Sequence, residues 1–360
     1  MNTETNPQNM SKKMGFAAGM LTTFVLAYAA WLVSNQVYGM KLPFGIPGKV
    51  LEYPLWGALI GMAGNALLKL TGRHEIIQNG IRTELFLKIG LILLGAGISF
   101  KTVLTAAGGA ALQGMVMITS VFFFGWWLSG KFKLDDKLRA VMSTALAVCG
   151  VSAAIAAAGS VLAKKEQVTY VTTLVIITAL PLMVIAPLLA GAMNLPQEVA
   201  GAWFGGNIDT TAAVVGAGTI YGEEAQAIAS IVKATQNAFI GLVSFLLAFY
   251  FVVVVERKPE ERPSIGLIWE RFPKFVLGFV LASVFYTLGW VDGGKGSVIE
   301  AIKNWAFMLA FVSMGLEFST AELRKMGWAP VIVYLLVTVF NTVLALGVAW
   351  LIFGVWMPIK

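Results

Sequence analysis

Apolar positions run in long blocks along the chain, and polar ones are bunched into short connectors between them. A helix needs roughly 20 apolar residues to cross a bilayer core about 30 Å thick. Blocks of that kind predict membrane helices over 14 to 36, 50 to 70, 85 to 102, 109 to 130, 168 to 191, 224 to 255, 272 to 291, 297 to 318 and 328 to 352. Two more apolar segments, 138 to 163 and 197 to 220, carry Gly, Ala, Ser and Thr at their middle. Such residues weaken a helix and let backbones approach closely, so both segments are expected to break near mid-membrane.

The two odd segments also resemble each other. CGVSAAIAAAGS (149 to 160) aligns with IDTTAAVVGAGT (208 to 219), setting Ser152 on Thr211 and Gly159 on Gly218. A second pairing matches GAGISFKT (95 to 102) with SMGLEFST (313 to 320), with Gly97, Phe100 and Thr102 on Gly315, Phe318 and Thr320. Matching segments that run in opposite directions are what an inverted repeat predicts. The odd segments fit that symmetry if each turns at mid-membrane and returns, one from either side. Broken helices that cross completely are the alternative, since they too bring open backbone to the midplane.

Composition removes most other classes. Of 360 residues 58% are hydrophobic and 12% charged, with a mean hydropathy of +0.79, outside the range of a soluble domain. The expectation is an all-α polytopic membrane protein of about ten or eleven membrane elements. It would form one transporter domain over 1–360, with inverted repeats and an elevator-type core. The core elements are expected at about 85–163 and 197–255, the remaining helices forming a scaffold. A single cysteine, Cys149, excludes an internal disulfide and any CxxC metal or redox motif. No HExxH, Walker loop or Ser, His and Asp set is present, so no enzyme and no cofactor is expected.

The net charge of +7 takes its meaning from where the cations fall. With the N-terminus cytoplasmic, one side collects the clusters at Lys12 and Lys13, Lys69 to Arg82, Lys131 to Arg139, Arg257 to Lys274, and Arg324 and Lys325. The other side receives only Lys41, Lys49, Lys101, Lys295, Lys303 and Lys360. That asymmetry follows the positive-inside rule and assigns the basic balance to topology instead of nucleic acid. It predicts a multi-pass membrane protein with its N-terminus cytoplasmic and its C-terminus outside. The hairpin arrangement also places Lys164 and Lys165 in the cytoplasm and leaves Glu223 and Glu224 outside.

A charge at the bilayer centre costs at least about 2.5 kcal/mol, so Asp209 and Lys233 need partners or a wet cavity. Lys233 lies on a stripe with Gln236, Asn237 and Ile240 at i, i+3, i+4 and i+7. One reading is a structural ion pair between Asp209 and Lys233. The other is a site for a transported ion. Half-helices that start at mid-membrane present N–H groups and a positive dipole end, which favours an anion. Ser152, Thr210 and Thr211 add hydroxyls and Lys233 a cation, which leaves Asp209 to couple H⁺ or Na⁺. A cation site would draw instead on Asn207, Asp209 and Asn237. Glu317 and Glu322 are expected to be solvated at a helix end and His74 to lie on the surface. Trp31, Trp56, Trp290, Trp328 and Trp356 read as interfacial anchors.

VCGVSAAIAA (148 to 157) and IDTTAAVVGAG (208 to 218) together resemble the signatures of the YeiH-type family of bacterial inner-membrane proteins, described as sulfate exporters. The resemblance rests on Cys149, Gly150, Ser152 and Ala153 in the first motif and Val214, Val215, Ala217 and Gly218 in the second. It covers nearly the whole chain. It implies a secondary transporter of a small, sulfate-like anion, related to the cation/proton antiporter and bile acid symporter group, with a moving core. Carriers of this kind are often homodimers, which makes a second copy a candidate partner beside the anion and membrane lipid. The chain departs from the family pattern at Asp209 and Thr210, where members tend to carry His and an acidic residue, and at Ala213 and Gln236, in place of Gln and Arg. The site expected from residues and resemblance is Cys149, Gly150, Ser152, Asn207, Asp209, Thr210, Thr211, Lys233, Gln236 and Asn237. The competing functions are a cation/proton antiporter and a non-transporting membrane scaffold or sensor.

Overall fold

A computed structural model describes residues 7–38, 53–255, 274–291, 293–318 and 327–358. Several expectations lie outside them: Lys41, Lys49, the cations of the 256–273 connector, Thr320, Glu322, Arg324, Lys325 and Lys360. All regular structure among the described residues is helical. Along the chain the helices are α1 (Pro7–Tyr38), α2 (Tyr53–Leu70), the single turn α3 (His74–Ile77), α4 (Thr83–Gly95) and α5 (Phe100–Lys131). They continue with α6 (Asp136–Ala147), α7 (Val151–Val161), α8 (Lys165–Ala192), α9 (Gln197–Asn207), α10 (Thr211–Tyr221) and α11 (Glu223–Ala238). Last come α12 (Ile240–Tyr250), α13 (Phe275–Thr287), α14 (Gly293–Leu316) and α15 (Ala329–Ala349); α12 and α15 each run on into a short π-helical stretch. Among the described residues six helical stretches are long and apolar enough to cross a membrane. The chain is an all-α polytopic membrane protein.

One expected boundary moves. The block read as 85 to 102 ends its helix at Gly95, and α5 begins at Phe100, well before the expected 109. Ser99 explains the early start: its hydroxyl accepts from the Thr102 amide, which caps α5.

The chain divides into two compact units. The first comprises residues 1–94 and 292–318. Within it α2 packs on α14 through glycine: side chains added at Gly57 or Gly61 would collide with Phe311 or the Val312 backbone. Small residues at such a seam let two membrane helices close without a cavity. The side-chain amide of Asn65 and the Lys69 ammonium both donate to the Phe318 carbonyl, beyond the end of α14. His74, expected on the surface, is half-buried, with a ring nitrogen 3.2 Å from the Leu316 carbonyl. Glu317 keeps exposed surface past the end of α14, but its carboxyl is desolvated beside Thr83 and Glu84, so it is not the freely solvated helix end expected.

The second unit comprises residues 95–291 and 319–360. It holds both odd segments together with α8 and α15, which the sequence pattern assigns to the scaffold. Its core is built from small residues, with Ala140, Ala145, Ala153, Ala154, Ala200 and Ala213 wholly buried.

Candidate functional site

Each odd segment folds back on itself. At the base of the first, the Lys137 ammonium in the opening turn of α6 donates to the Leu162 carbonyl just past α7, at 3.2 Å. Each arm is about 17 Å long at 1.5 Å per residue, so the two ends can meet only if α6 and α7 fold back on each other. The second segment does the same: the Tyr221 hydroxyl at the end of α10 donates to the Leu195 carbonyl before α9, at 2.5 Å. The Gln197 side chain at the start of α9 accepts from the Ala225 amide, past the end of α10. Two re-entrant hairpins result, with turns at Val148–Gly150 and Ile208–Thr210. The aligned stretches 149 to 160 and 208 to 219 are the turn and returning arm of each.

Helix α8 sets the geometry. Its 28 residues rise about 42 Å, from the base of the first hairpin, where Gln167 donates 2.7 Å to Asp135, to the base of the second, where Tyr221 also reaches the Ala190 carbonyl. The hairpins therefore enter from opposite ends of α8 and meet near its middle. A Cβ added at Gly150 would stand 2.5 Å from Val175 Cγ1 on α8 and 3.2 Å from the Asp209 carbonyl oxygen. Gly150 also has φ +66°, open to glycine without strain.

At the first turn α6 ends inside the protein, where unpaired carbonyls would be costly. Val148 N–H takes the Thr144 carbonyl and Gly150 N–H the Ala145 carbonyl. The Gln236 amide donates to Ala147 O at 2.9 Å, and the Lys233 ammonium to Val148 O at 2.8 Å and to Gln236 Oε1 at 3.1 Å. Lys233 is 1% exposed. It thus sits at the negative end of α6, where a cation is favoured. The returning arm α7 starts from Gly150, which offers no capping side chain, with half-buried Ser152 in its first turn.

At the second turn α9 ends at Asn207, whose carbonyl accepts from Asn341 Nδ2 of α15 at 2.8 Å. Asp209 is 3% exposed, and its Oδ2 accepts from the Tyr334 hydroxyl at 2.5 Å. Thr210 caps α10 by accepting from the Ala213 amide, and Asn237 Nδ2 donates to Thr211 Oγ1 at 3.1 Å. Among the described residues no salt bridge joins Asp209 directly to Lys233, although the two charges lie close enough to attract each other. Lys233 of α11 bonds the first turn, and Asp209, on the second, bonds Tyr334 of α15.

The structure thus gathers all ten expected residues at the two turns or on the α11 face beside them, and Cys149 is buried in the first turn. It adds Tyr334, Asn341 and Thr342 from α15. Tyr334, Thr338 and Asn341 fall at i, i+4 and i+7, a polar stripe like the one that marks Lys233. Gln113, a lone amide in α5, adds a bond to the Ala202 carbonyl at 2.7 Å. Trp203 of α9 is buried and donates to the Thr342 carbonyl at 3.0 Å. Among the described residues no cluster of His, Cys, Asp and Glu could hold a metal ion.

Comparison with known proteins agrees with the membrane character of the chain. The family model for conserved hypothetical protein 698 matches residues 18–334. The UPF0324 membrane protein RB9488 of Rhodopirellula baltica is 35% identical over 94% of this chain and 63% of its own length. A UPF0324 membrane protein of Nitratidesulfovibrio vulgaris is 34% identical over 95% of this chain and 60% of its own length. The chain thus spans about three fifths of these relatives. The UPF0324 membrane protein RB0971 of Rhizobium meliloti is 29% identical over 96% of both chains. No solved structure matches. The chain belongs to the conserved hypothetical protein 698 family, the YeiH-type membrane proteins.

Proposed function

We propose that the chain is a secondary transporter that carries a small oxyanion, sulfate-like in charge and size, across the bacterial inner membrane by alternating access. The observation that carries this reading is the meeting of two re-entrant turns midway along α8, with buried Lys233 and Asp209 on separate partners. Backbone open at mid-membrane is tolerated where it lines a binding cavity. The turns also treat their helix ends unequally. Donors from α11 and α15 cap the carbonyl ends of α6 and α9, so the amide end of α7 is what the first turn offers a ligand, and that end favours an anion. An ammonium has three donors, and Lys233 spends two on Val148 and Gln236.

The reading makes the chain a carrier, not an enzyme, with a small anion as its ligand. In the elevator form of alternating access, the hairpin-bearing unit moves as a body with its cargo. A cytoplasmic N-terminus is supported by the charge at the hairpin bases: Lys131, Lys133, Lys137, Arg139 and Lys164 gather at the first, and Glu198, Glu223 and Glu224 at the second.

Flux in proteoliposomes tests the proposal. An inward anion gradient is expected to drive uptake of sulfate, sulfite or a small organic acid into vesicles holding the wild-type chain, and Lys233→Ala is expected to lose it. Cation/proton exchange at Asp209 is the rival, favoured by the buried oxygens around the second turn. Na⁺-driven proton flux with no added anion would replace the anion reading with that one.

A further inference from the structure

The two turns share a design but not a charge. At the first, the C-terminal end of α6 receives a cation built into the protein, the Lys233 ammonium. At the second, the corresponding end of α9 receives only the neutral amide of Asn341. Around that end the structure leaves an excess of buried oxygen acceptors. Asn341 is 1% exposed, and its nitrogen is fixed on the Asn207 carbonyl, which can only accept; its Oδ1 has no hydrogen-bond partner. Asn237 is 4% exposed, with its nitrogen on Thr211 and its Oδ1 likewise unpartnered.

Asn207 adds a third oxygen. The Thr342 hydroxyl lies 2.8 Å from the Thr338 carbonyl and 2.9 Å from the Asn207 side chain, and it has one proton to give. The carbonyl can only accept, so the proton goes there and the hydroxyl accepts from the Asn207 amide nitrogen. That orientation pairs the one Asn207 atom otherwise left without a partner, Nδ2. It also frees the Asn207 oxygen. The Asp209 carboxylate, with only Oδ2 engaged by Tyr334, completes the group. These residues are tied together through the turn: Asn341 bonds residue 207, Tyr334 bonds residue 209 and Asn237 bonds residue 211.

Buried acceptors with no donor are costly, and each needs an account. We propose that the turn of the second hairpin binds a Na⁺ ion through the Asp209 carboxylate and the side-chain oxygens of Asn207, Asn237 and Asn341. All-oxygen ligation suits a hard cation. Within the turn, one carboxylate among neutral amides balances a single positive charge, whereas a divalent ion would leave one more uncompensated. The negative end of the α9 dipole adds to the attraction. Na⁺ then occupies at the second turn the place that Lys233 holds at the first. The inference deepens the carrier reading by naming its coupling ion.

Equilibrium binding of ²²Na⁺ to the purified full-length chain in detergent, with choline chloride holding ionic strength, is the test. The expected result is saturable binding displaced by unlabelled Na⁺ and not by choline. Asp209→Asn is expected to abolish it, and Asn237→Ala to weaken it about tenfold, the value of 1.4 kcal/mol. Asn237 bonds no backbone carbonyl, so its variant keeps the α9 cap intact where Asn341→Ala would not. Absence of saturable binding to the folded wild-type chain overturns the site, and so does binding that survives Asp209→Asn unchanged. Na⁺ binding without anion flux would keep this site and remove the anion reading; anion flux without Na⁺ binding would do the reverse.

Discussion

Gly150 has backbone angles of φ +66° and ψ −113°, and its Cα faces Val175 and the Asp209 carbonyl. A side chain there meets two separate obstacles, the backbone conformation and the contact. Gly150→Ala is predicted to lose about 1–3 kcal/mol of stability, read as a lower unfolding temperature. Val175→Ala in the same chain should restore only the part due to contact, which a double-mutant cycle isolates. Lys233→Met is predicted to cost about 1.5–3 kcal/mol, because it removes a charged donor and leaves the Val148 carbonyl buried without one. The Lys233, Gln236 and Asn237 stripe is legible in the sequence because a charge marks it and helical spacing carries it on. Tyr334 and Asn341 follow the same spacing but bear no charge, and a tyrosine in an apolar run is easily taken for an interfacial residue. Their partners, Asp209 and Asn207, lie more than a hundred residues away, so nothing local signals the bonds.

Each odd segment is long enough to cross the bilayer, and sequence alone leaves hairpin and crossing helix open. The decision lies in contacts at the bases, Lys137 with Leu162 and Tyr221 with Leu195, which no periodicity encodes. Labelling with an impermeant maleimide checks it. Cysteines placed at 137 and 164 should react from one face of the membrane and cysteines at 198 and 223 from the other, while native Cys149 is buried. Reaction of 137 and 164 from opposite faces would make the first segment a crossing helix. The first hairpin is anchored by Asp135, which caps α6 by accepting from the Lys137 and Leu138 amides and also accepts from Gln167. Partial burial opposes its charge, but the Gln167 bond, the two amides and the nearby Lys137 together hold its carboxyl below the usual 3.8. A depressed carboxyl stabilises the fold above its unfolded value and loses that contribution as pH falls from about 3.8 through the lower folded value. Asp135→Ala should cost about 1 kcal/mol at neutral pH, and Asp135→Asn should keep the cap while flattening stability against pH across that acidic window.

At the scale of the molecule, the apolar blocks and the family motifs indicate class and membrane character directly, because hydrophobic length and backbone-breaking residues are local properties. The division of labour between helices is not local. α8 and α15 look like plain spans, yet one sets the distance between the hairpins and the other supplies the partners of the second turn. A membrane scaffold with the same fold would not need its buried Asp209 and Lys233 for flux. If Asp209→Asn and Lys233→Ala both fold and leave every measured flux unchanged, the chain is a scaffold or sensor. The central claim is that an anion binds where the first turn, with its Lys233, faces the second. It is tested most directly by thermal unfolding of the wild-type chain and Lys233→Ala against sulfate, sulfite, bicarbonate and small organic acids, since a bound species raises the unfolding temperature. The account predicts that at least one anion stabilises the wild-type chain and not the variant. Stabilisation by no anion, or equal stabilisation of both, would contradict it.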